Sequence, residues 1–255
     1  MRFSPGIEQA VGEAASLLRH SRSAVVLTGA GFSTASGIPD FRSPATGLWA
    51  QSNPLEVASL TTFHNRPERF FEWFRPLTRS IWEAQPNAAH SALAELEKWG
   101  LIKAVITQNI DGLHQRAGSK NVLEVHGGIR SLSCSRCGRQ RPSEPFIPAY
   151  IGSGEIPHCP ECQAVLKPDI VFFEEMLPAA TWERAVAYCQ GADVLLVAGS
   201  SLEVSPASYL PHYALEAGAA LIMINRTETH VDSRASVILR ADLVEVIPAI
   251  AALVC

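Results

Sequence analysis

The stretch Ala24-Val25-Val26-Leu27-Thr28-Gly29-Ala30-Gly31 constrains the fold of this chain more than any other. Its apolar half has no polar alternation, so it reads as a strand buried on both faces, the kind found in helix-covered parallel sheets. The strand runs straight into a Gly-x-Gly turn, where missing Cβ atoms let backbone N–H groups approach a phosphate. Thr34 stands where a dinucleotide fingerprint often carries a third glycine, so the turn by itself is a weak signal. Its continuation is unusual: Ser36-Gly37-Ile38-Pro39-Asp40-Phe41-Arg42. A hydride-transfer site needs no such polar, proline-bearing loop, and the turn is expected to do other work.

The same pattern recurs along the chain. Apolar runs at Ala24–Thr28, Leu101–Thr107, Val122–Val125, Val194–Ala198, Leu221–Asn225 and Leu243–Ile247 read as strands. Helical stretches such as Ala88–Lys98 and Thr181–Gln190 lie between them. This alternation predicts an α/β fold, a Rossmann-like parallel sheet with helices on both faces. Ligands of such sheets sit at the carboxyl ends of the strands. Polar motifs begin there after four of the runs, at Gly29, Thr107, Gly199 and Asn225. Two segments break the alternation: residues 43–86 hold Trp49, Phe63, Phe70, Phe71, Trp73, Phe74 and Trp82 at helical spacing, and residues 131–166 hold the cysteine pairs. They are expected to form a small domain, a helical insertion plus a zinc-binding module. Residues 1–42, 87–130 and 167–255 would then form a discontinuous Rossmann-like domain.

With 255 residues, 47% of them hydrophobic and 18% charged, the chain can bury a sizeable core. A net charge of -4 gives no support for non-specific nucleic-acid binding, which rests on basic surface. Residues 1–20 read as an amphipathic helix with Ile7, Val11, Ala14, Ala15 and Leu18 on one side. Glu8, Glu13 and the lack of an apolar h-region argue against a secretory signal, and no run reaches membrane-spanning length. Cytoplasm is the expected compartment, and there close cysteine pairs bind metal more often than they form disulfides. Cys134, Cys137, Cys159 and Cys162 form a C-x2-C-x21-C-x2-C array, with Gly138 freeing the first knuckle. Four thiolates can surround one tetrahedral Zn²⁺ with no open position, which makes the ion structural. Cys189 reads as a core thiol and Cys255 as a free terminal residue.

Thr107-Gln108-Asn109-Ile110-Asp111-Gly112-Leu113-His114 follows one strand, and Glu124-Val125-His126-Gly127-Gly128 follows the next. Together with GAGFSTASGIPDFR, the cysteine pairs, GSSLEVSPA and INRTETH, this ordered set resembles the sirtuins of bacteria and archaea. These are NAD-dependent protein-lysine deacylases, and the likeness runs from about residue 20 to residue 247. It implies that His126 is the general base, since an imidazole titrating near neutrality can take a ribose proton, worth roughly 10²–10⁴-fold in rate. It implies that Asn109 and Asp111 order the nicotinamide pocket, an Asx turn after the strand being the bland alternative. Gln108 would bond the ribose, with Ile110 in the same stretch. Gly29, Ala30, Gly31, Thr34, Asp40, Phe41 and Arg42 would form the loop over the cofactor, Arg42 meeting phosphate charge unless it is a solvated surface residue. Gly199, Ser200, Ser201, Asn225 and Arg226, and more weakly Asp242, would hold the adenosine half. His90, His114 and His158 read as core histidines.

By the same resemblance, the acyl-lysine oxygen displaces nicotinamide from the ribose and His126 then activates a ribose hydroxyl. NAD is consumed; nicotinamide, O-acyl-ADP-ribose and free lysine are released. The peptide is expected to add as a strand between Val171-Phe172-Phe173 and Glu203-Val204-Ser205. The Val171 carbonyl would take the acyl-lysine N–H and Phe172 would line the acyl tunnel, although both read equally well as residues of a buried edge. Family members that prefer succinyl or malonyl groups carry Tyr and Arg where Phe71 and Phe74 stand, which favours a neutral acyl group, acetyl or longer. Three positions depart from the family: Glu174 replaces a common glycine, Ser200 a frequent Thr, and Gly128 a frequent Asn, Ser or Thr. Mono-ADP-ribosyl transfer from the same pocket is the competing reaction, and an NAD-sensing scaffold docking through the zinc module is the non-enzymatic reading. A dehydrogenase would need an acidic ribose-binding residue roughly 20 positions past the turn at a strand end, which is missing.

Overall fold

A computed structural model describes residues 3–41, 47–48 and 52–254. Arg42, Trp49 and Cys255 therefore lie outside the described residues. Helix α1 (Pro5–His20) leads into β1 (Ala24–Thr28). The helical insertion supplies α2 (Pro54–Val57), α3 (Leu60–Asn65) and α4 (Pro67–Glu83), and α5 (Ala88–Lys98) returns to the sheet. Then come β2 (Ile102–Thr107), α6 (Leu113–Ala117) and β3 (Val122–Glu124). The next segment holds β4 (Gly127–Cys134), β5 (Gln140–Pro142), α7 (Ile147–Ser153) and β6 (Leu166–Ile170). The chain closes with α8 (Ala179–Gln190), β7 (Val194–Ala198), α9 (Leu210–Glu216), β8 (Ala220–Ile224), β9 (Val237–Leu239) and α10 (Leu243–Val254).

Among the described residues the main sheet has six parallel strands in the order β3-β2-β1-β7-β8-β9. The chain winds outward from β1 on one side and outward from β7 on the other, so the topological switch lies between β1 and β7. Every residue of both strands is buried. Ala24 and Val26 face a core with α1, α5 and α10, whereas Val25 and Leu27 face the opposite core with α8 and α9. Two covered faces explain why these runs lack polar alternation.

The expected strand at Leu243–Ile247 is a correction: it is the first part of α10, and the edge strand is Val237–Leu239. The buried residues Leu243, Val246, Ile247, Ile250 and Ala251 recur at helical spacing against α1 and α5. Asp242 Oδ1 accepts the Val244 N–H at 3.1 Å, which starts the helix. A short apolar run cannot by itself tell strand from buried helix. The smaller sheet, β5-β4-β6, is antiparallel. Phe63, Phe70, Phe71 and Phe74 of the insertion pack with Leu113, Ile129, Tyr150 and Phe172, which joins the insertion to the strands around the cleft. His158 is exposed rather than in the core; its Nδ1 meets the Ile156 carbonyl at 2.7 Å.

His90 and His114 do lie in the core, with ring centroids 4.8 Å apart. Burial lowers the His90 pKa from 6.5 to about 4. Burial, and then the neighbouring His90, keep His114 well below its ordinary value. Both are neutral in the folded chain near neutrality, while the unfolded chain takes up their protons below about pH 6.5. Their contribution to stability is therefore full above that pH and is lost progressively as pH falls toward the folded value. Urea denaturation at about pH 7.5 and about pH 5 should show this loss, and His90→Gln should reduce it by on the order of 2 kcal/mol. An unchanged pH dependence in that variant would contradict the assignment.

Candidate active site and metal centre

The turns after β1 and β7 meet backbone to backbone. Gly31 N–H donates to the Gly199 carbonyl at 2.9 Å. Gly199 has φ +63°, and a Cβ there would stand 2.4 Å from the Phe32 nitrogen. The Gly-x-Gly pair thus serves first to let two strand ends touch. With Gly31 committed to Gly199, the Ala30 N–H is left without an acceptor among the described residues, on the wall of a cleft of about 1220 Å³. An orphan N–H at a strand-end turn is suited to a phosphate oxygen.

The cleft gathers nearly all the sequence-predicted positions. Its lining includes Gly29, Ala30, Gly31, Thr34, Asp40 and Phe41 from the first turn, and Gln108, Asn109, Ile110 and His126 from the ends of β2 and β3. Gly199, Ser200 and Ser201 line it after β7, Asn225, Arg226 and Asp242 after β8 and β9, and Val171, Phe172, Phe173, Glu203 and Val204 complete the lining.

The end of β2 organises the centre of the cleft. His126 Nδ1 lies 3.0 Å from the Gln108 carbonyl. A carbonyl can only accept, so Nδ1 carries a proton, and in the neutral form of the ring the lone pair is on Nε2. Gln108 Nε2 donates to Ser200 Oγ at 2.9 Å, tying this end to the β7 turn. Asn109 is 7% exposed; its Nδ2 donates to the Gly29 carbonyl at 3.0 Å and to Ser33 Oγ at 3.1 Å. Its Oδ1 takes no hydrogen bond among the described residues.

Asp111 does not line the cleft. Its Oδ2 accepts from Ser33 Oγ at 2.6 Å, and its Oδ1 accepts the Leu113 N–H at 2.8 Å, the Asx-turn geometry. Burial raises its carboxyl pKa, opposed by the Ser33 hydroxyl. Asp111 stands one layer behind and holds Ser33, which in turn holds Asn109. Ser33 was not singled out in the sequence. Its signal was a buried hydroxyl one residue past the Phe32 of the turn, legible only once Asp111 and Asn109 converge on it.

Among the residues expected to hold the adenosine half, Arg226 pairs with Asp242 at 3.0 Å on an exposed surface. Asn225 Nδ2 holds the Thr227 carbonyl at 2.9 Å. Of the predicted peptide edge, the Val171–Phe173 segment is mostly occupied. Phe172 N–H goes to Glu175 Oε2, Phe173 N–H to the Ala58 carbonyl, and the Phe173 carbonyl to the Leu60 N–H. Of Val171–Phe173, the Val171 carbonyl has no hydrogen-bond partner among the described residues. Phe74 reaches the cleft beside Trp73 and Leu77, whereas Phe71 turns away and its carbonyl accepts the Tyr150 hydroxyl.

The four predicted cysteines converge: all four Sγ atoms lie within 4.8 Å of one another. Cys134 and Cys162 approach to 3.4 Å, Cys137 and Cys159 to 3.8 Å. Sulfurs around a tetrahedral zinc with bonds of about 2.3 Å are separated by about 3.8 Å, so the set fits the ion. The backbone N–H of Cys137, and then of Arg136, points at Cys134 Sγ and holds that thiol toward the thiolate. Cys189 is a buried core thiol, pushed up to about 12 by burial.

A doubly wound sheet whose switch-point glycines open onto an imidazole, with a four-thiolate module alongside, defines an α/β ligand-binding protein with a structural metal. The chain belongs to the Sir2 family, whose model matches residues 29–206. An NAD-dependent protein deacetylase of Geobacillus kaustophilus is 44% identical over 224 residues, 88% of this chain and 90% of that one. An NAD-dependent protein deacylase of Pyrococcus furiosus is 42% identical over 93% of this chain and 95% of its own. A solved Sir2 complex with a p53 peptide and NAD+ superposes with a TM-score of 0.84 at 41% identity, covering 92% of this chain and 94% of that one.

The metal centre carries a direct test. Elemental analysis of the purified chain should find one zinc per molecule. Cys137→Ser should lower that occupancy and drop the melting temperature by more than about 4 °C, as loss of a structural site would. A zinc-free wild type with an unchanged melt would contradict the assignment.

Proposed function

We propose that this protein removes acetyl and other neutral acyl groups from protein lysines, consuming NAD and releasing nicotinamide, O-acyl-ADP-ribose and free lysine. The observation that supports the reading is the His126 ring, which lines the cleft: its Nδ1–H is committed to the Gln108 carbonyl, so in the neutral ring Nε2 carries the lone pair that would accept a proton. When bound, NAD supplies a ribose carbon bearing a leaving group and a neighbouring hydroxyl. The residues that would hold it are those of the Gly29–Gly31 turn, Thr34, Asp40, Phe41, Gln108, Asn109, Ile110, Gly199, Ser200, Ser201, Asn225, Arg226 and Asp242. The Ala30 N–H would face a phosphate, and Asn109 Oδ1 would accept a ribose hydroxyl or a water. His126 takes the hydroxyl proton on Nε2, and the Gln108 carbonyl stabilises the ring that forms. Asp111 acts through Ser33, keeping Asn109 in place.

On the Val171–Phe173 side the peptide edge is reduced in this reading to the Val171 carbonyl, which would accept the acyl-lysine N–H, with Glu203-Val204-Ser205 as the facing edge. Trp73, Phe74, Leu77, Ile110 and Phe172 supply an apolar wall near it, with no cation among them. Arg75 is turned away, onto the Ile151 and Gly152 carbonyls. A carboxylate-bearing acyl group would find no partner on that wall. We take residues 1–42, 87–130 and 167–255 as the NAD-binding domain, with 43–86 and 131–166 as the smaller one. No helix of the described residues is long and apolar enough to cross a membrane. Acylated proteins or peptides of the cytoplasm are the substrates we expect, without nucleic acid or membrane as partners.

Mass analysis after incubation with NAD and an acetylated peptide should find O-acetyl-ADP-ribose. His126→Ala should lower its formation by roughly 10²–10⁴-fold. A mass gain on protein in its place would support ADP-ribosyl transfer instead. Across acetyl, butyryl, myristoyl and succinyl versions of one peptide, only the succinyl version should fail; robust desuccinylation would overturn the reading of the apolar wall.

A further inference from the structure

The segment following β6 is tied at both ends. Val171 N–H donates to the His126 carbonyl at 2.8 Å, which fixes its start to the backbone of the proposed base. Phe173 is bonded through both main-chain groups to Ala58 and Leu60, at 3.0 and 3.1 Å, which fixes its end to the helical insertion. The next residue, Glu174, has φ +74°, a region that disfavours any residue bearing a Cβ. The turn is closed by the Glu175 N–H on the Phe172 carbonyl at 3.1 Å, and a side-chain latch ties it to the insertion: Glu174 Oε2 accepts the Thr61 N–H at 2.9 Å and the Thr61 hydroxyl at 2.8 Å. Thr61 lies in the first turn of α3, where backbone N–H groups lack helical partners.

We infer that Glu174 is a positioning residue for the acylated peptide: its latch to Thr61 locks the left-handed turn and so presets the Val171 carbonyl and the Phe172 ring against the insertion before the peptide arrives. The inference rests on the acyl-peptide reading of the cleft. An edge already ordered spares the peptide the loss of that freedom on binding. The latch touches neither the Gly29–Gly31 turn nor Asn109, and the Val171 bond to the His126 carbonyl at the other end of the segment is independent of it, so its loss should fall on the peptide before it reaches NAD. A merely structural cap would lower the melting temperature without singling out one substrate.

Steady-state kinetics with one acetylated peptide and NAD test this, wild type first. Absence of wild-type turnover would sink the deacylase reading itself; the variants are informative once turnover is seen. Glu174→Ala should raise the peptide KM about fivefold to tenfold, leaving kcat and the NAD KM within about twofold. Glu174→Gln keeps a carbonyl acceptor and should restore the peptide KM to within about twofold of wild type. Adding Thr61→Val to Glu174→Ala should change nothing further, because the partner is already gone. The inference is overturned by an unchanged peptide KM in Glu174→Ala, by equal shifts in kcat or the NAD KM, or by additive effects in the double variant. If Glu174→Ala does not fold, Thr61→Val decides: a peptide KM raised about threefold supports the latch, and an unchanged one overturns it.

Discussion

The contact between the Gly31 amide and the Gly199 carbonyl is the constraint on which the site depends. β1 and β7 are neighbours in the sheet but far apart in the chain, and their turns would collide if Gly199 carried a side chain and would be crowded if Gly31 did. Because the turns touch, the Ala30 N–H and the end of β2 face one continuous cleft. Gln108 reaches the β7 turn through Ser200, and Asn109 reaches the β1 turn through the Gly29 carbonyl. The imidazole of His126 is bonded to the Gln108 carbonyl of that same stretch, so imidazole, amide and glycine turns share one frame.

The opposite wall is assembled differently. A zinc-binding antiparallel sheet and an aromatic helical insertion come from separate parts of the chain and meet around Phe172. Lys167 caps that ring at 4.1 Å while pairing with Glu175 at 2.9 Å, and Glu175 accepts the Phe172 N–H. The segment 171–174 is therefore the seam between the two walls. The main-chain groups of Phe172 and Phe173 and the Val171 N–H are all used internally, and that is why so little of it is left for a ligand.

Where one local interaction dominates, the amino-acid sequence was enough to read the structure. The runs Ala24–Thr28 and Val194–Ala198 became strands with those bounds, since burial on both faces leaves no competing period. The C-x2-C pairs converged because their spacing already closes two knuckles. Leu243–Ile247 misled: five apolar residues fit either period, and only packing against α1 and α5 selects the helix. The roles of Asp111 and Ser33 were half legible. Local spacing showed an acid after a strand, but its partner lies 78 positions away. Phe71 and Phe74 are three residues apart on one helix, yet only Phe74 reaches the cleft, because Tyr150 takes the other side. Long-range partners of this kind decide which side chains serve a site, and no window of sequence contains them.

A crystal structure with the intact dinucleotide and an acetylated peptide examines the central claim most directly. The account predicts the dinucleotide lying across both glycine turns, its nicotinamide ribose beside Asn109, with His126 Nε2 within hydrogen-bond reach of a ribose hydroxyl and the Val171 carbonyl on the acyl-lysine N–H. A dinucleotide seated at another strand end, or an imidazole directed away from the ribose, would contradict it.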